Sequence, residues 1–399
     1  MLDLLSSLSE ANTKKILLFV FDGLGDLAGK HGTPLEVAKT PNLDKLAAEG
    51  MSGFTDPVSP GITPGSGPGH LSMFGYDPIK FDIGRGILSA LGVNFPIQPS
   101  DIAARINFCT LDDNGDVVDR RAGRIPTEKC VDLCKELSKI KIEGLKVYVW
   151  PEKEHRAALV IQGENLSGAL SDTDPQKLGV PPLELEATDD SPEAKELAPK
   201  VREFLKQARE VLKDHHPANM ILTRGYDKFE ALPQFPEIFK LHPAAIATYP
   251  MYKGVARLVG MEILEGANTI AEEVDLLEKY WKHYDFFYFH VKKTDSYGED
   301  GNFDAKVAVI EEADELIPRI KDLGPDVIVV TGDHSTPCKM KAHSFHPVPT
   351  LVWGDLVRVD PVKQFNESAA IGGGLGRVPA TSLMPIALAH AGKLQKYGA

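Results

Sequence analysis

The sequence predicts an α/β fold: a mostly parallel sheet sandwiched by helices, with a smaller α+β domain inserted into it. Three apolar runs carry that expectation: "KKILLFVFDG" (14–23), "DFFYFHVKK" (285–293) and "DVIVVTGDHS" (326–335). Runs of this length, bounded by glycine and polar residues, suit strands buried on both faces of a parallel sheet. Helical patterns lie between them, and strands alternating with helices define the α/β class.

Taken in order, "MLDLLSSLSEANTKK" is apolar for only a few residues and lacks a basic start. It reads as a short helix rather than a secretory leader. The first sheet strand follows and ends at Asp22. "TPNLDKLAAEG" has Thr40 placed to cap a helix, Pro41 at its first position and Gly50 closing it. "SPGITPGSGPGHLSMFGYDP" (59–78) is dense in glycine and proline and leads into a helix near "GHLSMFGY". "ARINFCTLDDNGDVVDRRAGR" turns through "DDNGD" and reads as a β-hairpin. A helix at "TEKCVDLCKELSKI", strands at "LKVYVW" and "HRAALVIQG", and a proline- and acid-rich loop come next. A long amphipathic helix starts near Glu193, and "ANMILTRG" reads as the return to the main sheet. Residues 120–190 are therefore assigned to the inserted domain, and 1–119 with 191–399 to the main one. "FDAKVAVIEEADELIPRIKDLG" gives the last long helix, ending at Gly324.

Composition narrows the function. The chain has 399 residues, 43% hydrophobic and 25% charged, which are ordinary globular values. No apolar stretch approaches the ~18 residues that span a bilayer. A net charge of −13 argues against a nucleic-acid surface. It leaves room for a small anion held by a local basic cluster such as Arg120, Arg121 and Arg124 in "DRRAGR". The four cysteines are few, and Cys130 and Cys134 stand four apart on one helix face without a second pair to complete a metal site. They read as core thiols, with Cys109 and Cys338 unpaired. A reducing, cytoplasmic compartment without membrane association is expected.

The chemistry gathers at strand ends. Asp22, Asp295 and the adjacent pair Asp333–His334 each follow an apolar run. In parallel sheets, ligands sit beyond the carboxyl ends of the strands, so three such ends can bring distant acids together. One acid at one strand end would be a solvated loop; three, one followed by histidine, suggest a cation. Ser66 precedes a helix whose free N–H groups could receive an anion, though composition alone favours a flexible surface loop.

"FVFDGLGD", "TPNLDKLAAEG", "PGSGPGHLSMFGYDP", "ARINFCTLDDNGDVVDRRAGR", "YPMYKGVARLVGM", "DGNFDAKVAVIEEAD" and "TGDHSTPCKMKAHSFHPVP" together resemble the archaeal-type, cofactor-independent phosphoglycerate mutases of the alkaline phosphatase superfamily. The likeness runs in order from about residue 14 to the C-terminus. It implies an alkaline-phosphatase-like sheet and two divalent metal ions, without 2,3-bisphosphoglycerate as a cofactor. By the resemblance, Asp22, Ser66, Asp333 and His334 hold one ion, Ser66 also being the nucleophile that becomes phosphorylated. Asp295 and His343 match ligands of the other. The substrate it implies is a small phosphorylated carboxylic acid, with 3-phosphoglycerate and 2-phosphoglycerate interconverted in glycolysis and gluconeogenesis.

One position departs from the family pattern D-x-x-G-H-D. This chain reads "DSYGEDG", with Glu299 where a histidine ligand is expected and His346 as a nearby spare imidazole. A carboxylate there suits Mn²⁺ or Mg²⁺ ahead of Co²⁺ or Zn²⁺. The mutase reaction further requires that glycerate re-orient without escaping, since water would turn transfer into hydrolysis. Arg120, Arg121, Arg124, His155, Arg156, Lys253 and Arg257 are the candidate clamps in this reading. Asp172 and Asp174 are candidates for proton transfer. His70, four residues beyond the nucleophile, either contacts phosphate or packs. Two alternatives accompany this reading: a phosphohydrolase on the same scaffold, and a catalytically degenerate binding protein supported only by Glu299. The oligomeric state is not legible in the sequence.

Overall fold

The computed structural model describes residues 1–398. They form two compact units, one comprising residues 1–82, 233–249 and 259 onward, the other residues 83–232 and 250–258. In chain order, β1 (Ile16–Phe21) and β2 (Met51–Asp56) belong to the first unit. The second unit supplies β3 (Ile102–Leu111), β4 (Val117–Asp119), β5 (Lys146–Pro151), β6 (Arg156–Gln162) and β7 (Met220–Lys228). The first unit resumes with β8 (Pro243–Ala247), β9 (Glu262–Ile263), β10 (Phe286–Val291), β11 (Val327–Thr331), β12 (Val348–Gly354) and β13 (Gly376–Pro379).

The first unit is built on an eight-stranded sheet of order β13-β2-β12-β11-β1-β10-β8-β9. Strands β11, β1, β10, β8 and β9 run parallel; β12 is antiparallel to both β11 and β2. The central strands are wholly buried, and their β-branched and aromatic side chains suit a pleated surface covered on both faces. Leu17, Phe19 and Phe21 of β1 pack into one core with residues of three helices, Pro41–Ala48, Ile270–Tyr280 and Phe303–Asp322. The mostly parallel, helix-covered sheet expected from the sequence is therefore present.

The helix Pro41–Ala48 begins where expected, but Thr40 makes no side-chain cap bond. Buried Asp314 takes that role instead. Its carboxylate accepts from the backbone N–H groups of Asn42 (3.2 Å) and Leu43 (2.7 Å). A carboxylate also offsets the positive end of the helix dipole.

The second unit has an antiparallel sheet of order β4-β3-β6-β5, with β7 also paired to β3. The helices Thr127–Leu137 and Pro192–Leu212 cover one face. This corrects the boundaries read from sequence. The segment "ANMILTRG" forms β7 and joins this small sheet rather than the main one, because its ladder partner is β3 across Ile102–Cys109. Residues 83–119 and 191–232 therefore belong with 120–190. Cys130 and Cys134 lie in this core with their sulfurs 3.9 Å apart, as unpaired thiols. Among the described residues no helix is long and apolar enough to cross a membrane.

Candidate active site

Strands β11, β1 and β10 are neighbours, and their register aligns Val20 with Thr331 and Phe21 with Val291. The chain segments leaving all three strands thus emerge at one edge. Asp22 follows β1 directly, Asp333 and His334 follow β11, and Asp295 sits in the first turn of the helix Lys293–Asp300 after β10. Asp22, Asp333 and His334 each present a ligand atom within 4.8 Å of the others, and Asp295, His334 and His343 form a second such group. His334 belongs to both. The sequence reading placed it in the first only.

The backbone makes this approach possible. Gly23 has φ +61°, and a Cβ there would stand 2.5 Å from Thr336 Oγ1. Its N–H donates to Asp333 Oδ1 at 3.0 Å. Thr336 Oγ1 donates to Asp295 Oδ1 (2.8 Å) and lies 2.9 Å from His334 Nδ1. With its one proton spent on Asp295, the hydroxyl accepts from Nδ1–H of His334. That leaves Nε2 as the nitrogen facing the site, able to ligate once it gives up its proton.

Ser66 is the first residue of the helix Ser66–Met73. Its Oγ lies 3.2 Å from His334 Nε2. The helix packs so closely on the β11 end that a Cβ on Gly69 would meet Asp333 O at 2.3 Å. His70 is fully buried one turn on. Its Nδ1 donates to Ser66 O (2.8 Å) and lies 3.2 Å from Asp333 Oδ2. The imidazole thus braces the Ser66 backbone and the Asp333 carboxylate, a contact set that suits the packing alternative for His70.

Charge is unevenly borne here. Burial, then the neighbouring Asp333, pushes the Asp22 carboxyl well above its usual range. Burial works against ionisation of Asp333 too, yet His334 and His70 hold it well below. His334 is held up at about 9, burial being outweighed by Asp333 and then by Asp22 and Asp295. Bases meet these buried carboxylates: Lys292 Nζ stands 2.8 Å from Asp22 Oδ2, and His70 Nδ1 and His334 Nε2 stand 3.2 and 3.1 Å from Asp333 Oδ2. Holding two acids so close in a buried site is costly without positive charge between them. Two carboxylates, an imidazole nitrogen that must first give up its proton and a nearby serine hydroxyl are a donor set for a divalent cation. The residues fit that group.

The second group is less closed. Glu299 Oε1 is 4.0 Å from His343 Nε2, on a side chain that is 55% exposed. It stands one helical turn beyond Asp295 and faces the site without entering the tight group. His346 is engaged elsewhere: Nδ1 bonds Ser344 Oγ at 2.9 Å and the ring stacks on Phe345. The idea of a spare imidazole for this site is corrected accordingly.

Sequence reasoning missed Lys292. Its Nζ lies 2.8 Å from Asp22 Oδ2 and 2.6 Å from Asp295 Oδ2, bridging an acid of each group. His290, fully buried on β10, stands 3.6 Å from Asp22 Oδ2. The signal was present in "FHVKKTD", where bases lie between a strand end and a ligand acid.

The clamp candidates all lie in the second unit. The turn "AGR" is strained, with Ala122 (φ 45°) and Arg124 (φ 53°) both left-handed, and Asp119 caps it through the N–H groups of Arg121 and Gly123. His155 is buried, and burial plus Arg156, Arg105, Arg121 and Arg124 lowers it to about 3. The imidazole thus sits among guanidiniums, Arg105 being an addition to the sequence reading, with the acids Glu152 and Glu154 in the same cluster. Arg120 is committed elsewhere, in a bidentate pair with Asp174 (2.8 and 2.6 Å). That pairing and the Gln176 N–H hold Asp174 below the usual range despite its burial, which unsuits it to proton transfer. Asp172 accepts from the Gly225 N–H at 2.8 Å and lies 3.4 Å from Arg224 Nε. Arg257 bonds the carbonyls of Leu91 and Gly92 at 2.8 and 3.0 Å, a packing role. Lys253 occupies the helix Pro250–Leu258.

A helix-covered α/β sheet with carboxylates, imidazoles and a helix-start serine at one edge is the arrangement of a metal-dependent phosphotransfer enzyme. The comparisons give the particular family. The profile of 2,3-bisphosphoglycerate-independent phosphoglycerate mutase matches residues 47–219. A probable 2,3-bisphosphoglycerate-independent phosphoglycerate mutase of Thermosipho africanus is 52% identical over 99% of this chain and 98% of its own. The structure of PH0037 protein from Pyrococcus horikoshii aligns with TM-score 0.84 and 34% identity over 98% of this chain and 100% of that one. A cofactor-independent phosphoglycerate mutase from Thermoplasma acidophilum aligns with TM-score 0.71 and 34% identity, covering 95% and 100%. The chain belongs to the 2,3-bisphosphoglycerate-independent phosphoglycerate mutase family. Membership favours the mutase reading over the hydrolase and binding-protein alternatives.

Proposed function

We propose that this chain interconverts 3-phosphoglycerate and 2-phosphoglycerate through a phosphorylated Ser66. The observation that carries the reading is the position of Ser66 Oγ, 3.2 Å from His334 Nε2 at the start of a helix and beside the buried Asp22–Asp333 pair. Asp22, Ser66, Asp333 and His334 would hold one divalent ion; Asp295, His343 and Glu299 would hold the other, with His334 at the boundary. When bound, the ions supply a lowered serine pKa and charge to offset the phosphoryl oxygens. Mn²⁺ or Mg²⁺ suits the oxygen-rich second set.

In this reading Ser66 Oγ bonds to phosphorus as the bond from phosphorus to the substrate's O3 breaks, the serine's proton ending on O3. Retransfer to O2 of the same glycerate breaks the Ser66 Oγ–phosphorus bond, and the proton given up by O2 restores the Ser66 hydroxyl. The helix start at Ser66 offers unbonded N–H groups to the phosphoryl oxygens. Arg121, Arg124, Arg156 and Arg105 around neutral His155 suit the carboxylate of glycerate, as guanidiniums bind carboxylates through paired donors. Retaining glycerate between the two transfers is what separates a mutase from a phosphatase.

The test is conversion of 3-phosphoglycerate to 2-phosphoglycerate without added 2,3-bisphosphoglycerate, with inorganic phosphate measured in the same reaction. Turnover with little phosphate release is expected. Stoichiometric phosphate release without 2-phosphoglycerate would make the chain a hydrolase.

A further inference from the structure

Lys306 is the fourth residue of the helix Phe303–Asp322 and is fully buried. A buried ammonium is costly unless every donor is used. Here each one is. Nζ donates to Gly23 O at 2.9 Å, to Asp26 Oδ2 at 2.9 Å and to Thr336 O at 3.0 Å. An ammonium has three N–H donors, so the side chain is saturated. Its counter-charge, Asp26, also accepts from the Cys338 N–H (3.2 and 3.1 Å) and its own neighbour Leu27 (2.8 Å).

The two carbonyls are not arbitrary acceptors. Gly23 follows Asp22, and its N–H fixes Asp333 Oδ1. Thr336 lies two residues past His334, and its hydroxyl orients both Asp295 and His334. One ammonium therefore holds the two residues, Gly23 and Thr336, whose N–H and hydroxyl contact Asp333, His334 and Asp295, and the first of which follows Asp22. It touches none of the four.

We propose that Lys306 is a positioning residue for the metal centre, fixing the loops after β1 and β11 in a common frame. Outer partners of metal ligands commonly change metal affinity by about 10–100-fold when removed. This rests on the two-metal reading above. A lysine that merely filled the core would affect folding stability and leave the metal site of folded molecules unchanged.

The experiment uses the full chain stripped of metal and titrated with Mn²⁺ by calorimetry, alongside the electron paramagnetic resonance spectrum of the bound ion. Lys306→Met alone strands the Asp26 carboxylate and costs stability, so the deciding variant is the neutral pair Lys306→Met with Asp26→Asn. Asp314→Asn, which loosens the cap of the helix Pro41–Ala48 in the same unit, is the control for general destabilisation. The expected result is Mn²⁺ affinity at least about tenfold weaker in the double variant, an altered spectrum, and kcat reduced at saturating Mn²⁺ with KM nearly unchanged. Asp314→Asn should bind Mn²⁺ as the wild type does. Wild-type affinity and spectrum in the double variant, or an equal loss in the control, overturns the proposal. A wild-type chain that binds no Mn²⁺ overturns the two-metal reading itself.

Discussion

Lys292 Nζ stands 2.8 Å from Asp22 Oδ2, and the same ammonium reaches Asp295 Oδ2 at 2.6 Å. One fixed cation thus spans the two carboxylates assigned to different metal ions. Those acids keep the ammonium well above its ordinary pKa, in spite of burial. A divalent ion entering either site meets a resident positive charge.

Lys292→Met should therefore bind Mn²⁺ more tightly while turning over more slowly. Unit charges about 4 Å apart interact by several kcal/mol at the effective dielectric of a protein. A gain of at least about tenfold in affinity, some 1.4 kcal/mol, is a conservative expectation once the lost ion pairs are counted. Calorimetric titration gives the answer. Equal affinity in variant and wild type would show that the lysine withdraws without cost when metal binds.

Ser66→Ala should abolish mutase turnover and leave folding intact, since the Ser66 hydroxyl's hydrogen-bond contact is a long one, 3.2 Å to His334 Nε2. Mass spectrometry of wild type incubated with substrate should show one added phosphoryl group, absent in the variant. Substantial turnover by Ser66→Ala would falsify the phosphoserine route.

Glu367 supplies a pH dependence away from the metal ligands. Burial pushes its carboxyl up to about 7 although it accepts from Thr33 Oγ1 and the Asp26 N–H. The folded pKa lies above the unfolded value near 4.5. Folded protein therefore holds the proton longer, and stability falls as pH rises from about 4.5 to about 7, by on the order of 2 kcal/mol. Glu367→Gln keeps an acceptor for the Asp26 N–H and should flatten this segment. Urea unfolding at pH 5 and pH 7.5 measures it; parallel curves for both proteins would remove Glu367 as the source.

The arginines separate into two kinds. Arg120→Ala leaves Asp174 with Arg224, at 3.6 Å, as its remaining cation, so lower stability is its main expected effect. Arg124→Ala removes a charge beside His155 and should raise phosphate released per mutase turnover by several-fold, because glycerate escapes before retransfer. An unchanged ratio in Arg124→Ala, with both rates intact, would make "DRRAGR" a solvated turn.

The acids proposed as metal ligands were legible because a buried parallel strand can end in an acid only where something satisfies it, and three such ends recur in one grammar. Asp22, Asp333 and His334 were found that way. Lys292 was not, since "VKK" at a strand end reads as solvated charge until the register places it between two carboxylates. The domain boundary failed for a different reason: "ANMILTRG" is as apolar as any main-sheet strand, and only its antiparallel ladder to β3 reveals its sheet. Asp174 was read as a candidate for proton transfer, but it is paired with Arg120, 54 residues away. Such long-range pairings leave no local trace. Lys306 was hidden for the same reason, looking in sequence like one more surface lysine of an amphipathic helix.

Glu299 offers the sharpest test of the second metal site. Its carboxylate stands 4.0 Å from His343 Nε2, one turn beyond Asp295, and is half exposed. To ligate, Glu299 has to turn an oxygen into the group that holds Asp295 and His343, and its exposed side chain has room to do so. With two carboxylates and one imidazole, the site favours harder cations than the family's imidazole-richer pattern does. Wild type should be activated best by Mn²⁺, and Glu299→His should shift preference towards Co²⁺ or Zn²⁺. Burial and the His334 charge already lower the His343 pKa, so the ring is neutral and ready to ligate near pH 7. Glu299→Ala should lose activity mainly through metal affinity, with much of it restored by raising Mn²⁺ about tenfold or more. Metal-activation curves for the three proteins decide the matter. If all three coincide, Glu299 faces solvent throughout and the second ion is held by Asp295 and the histidines alone.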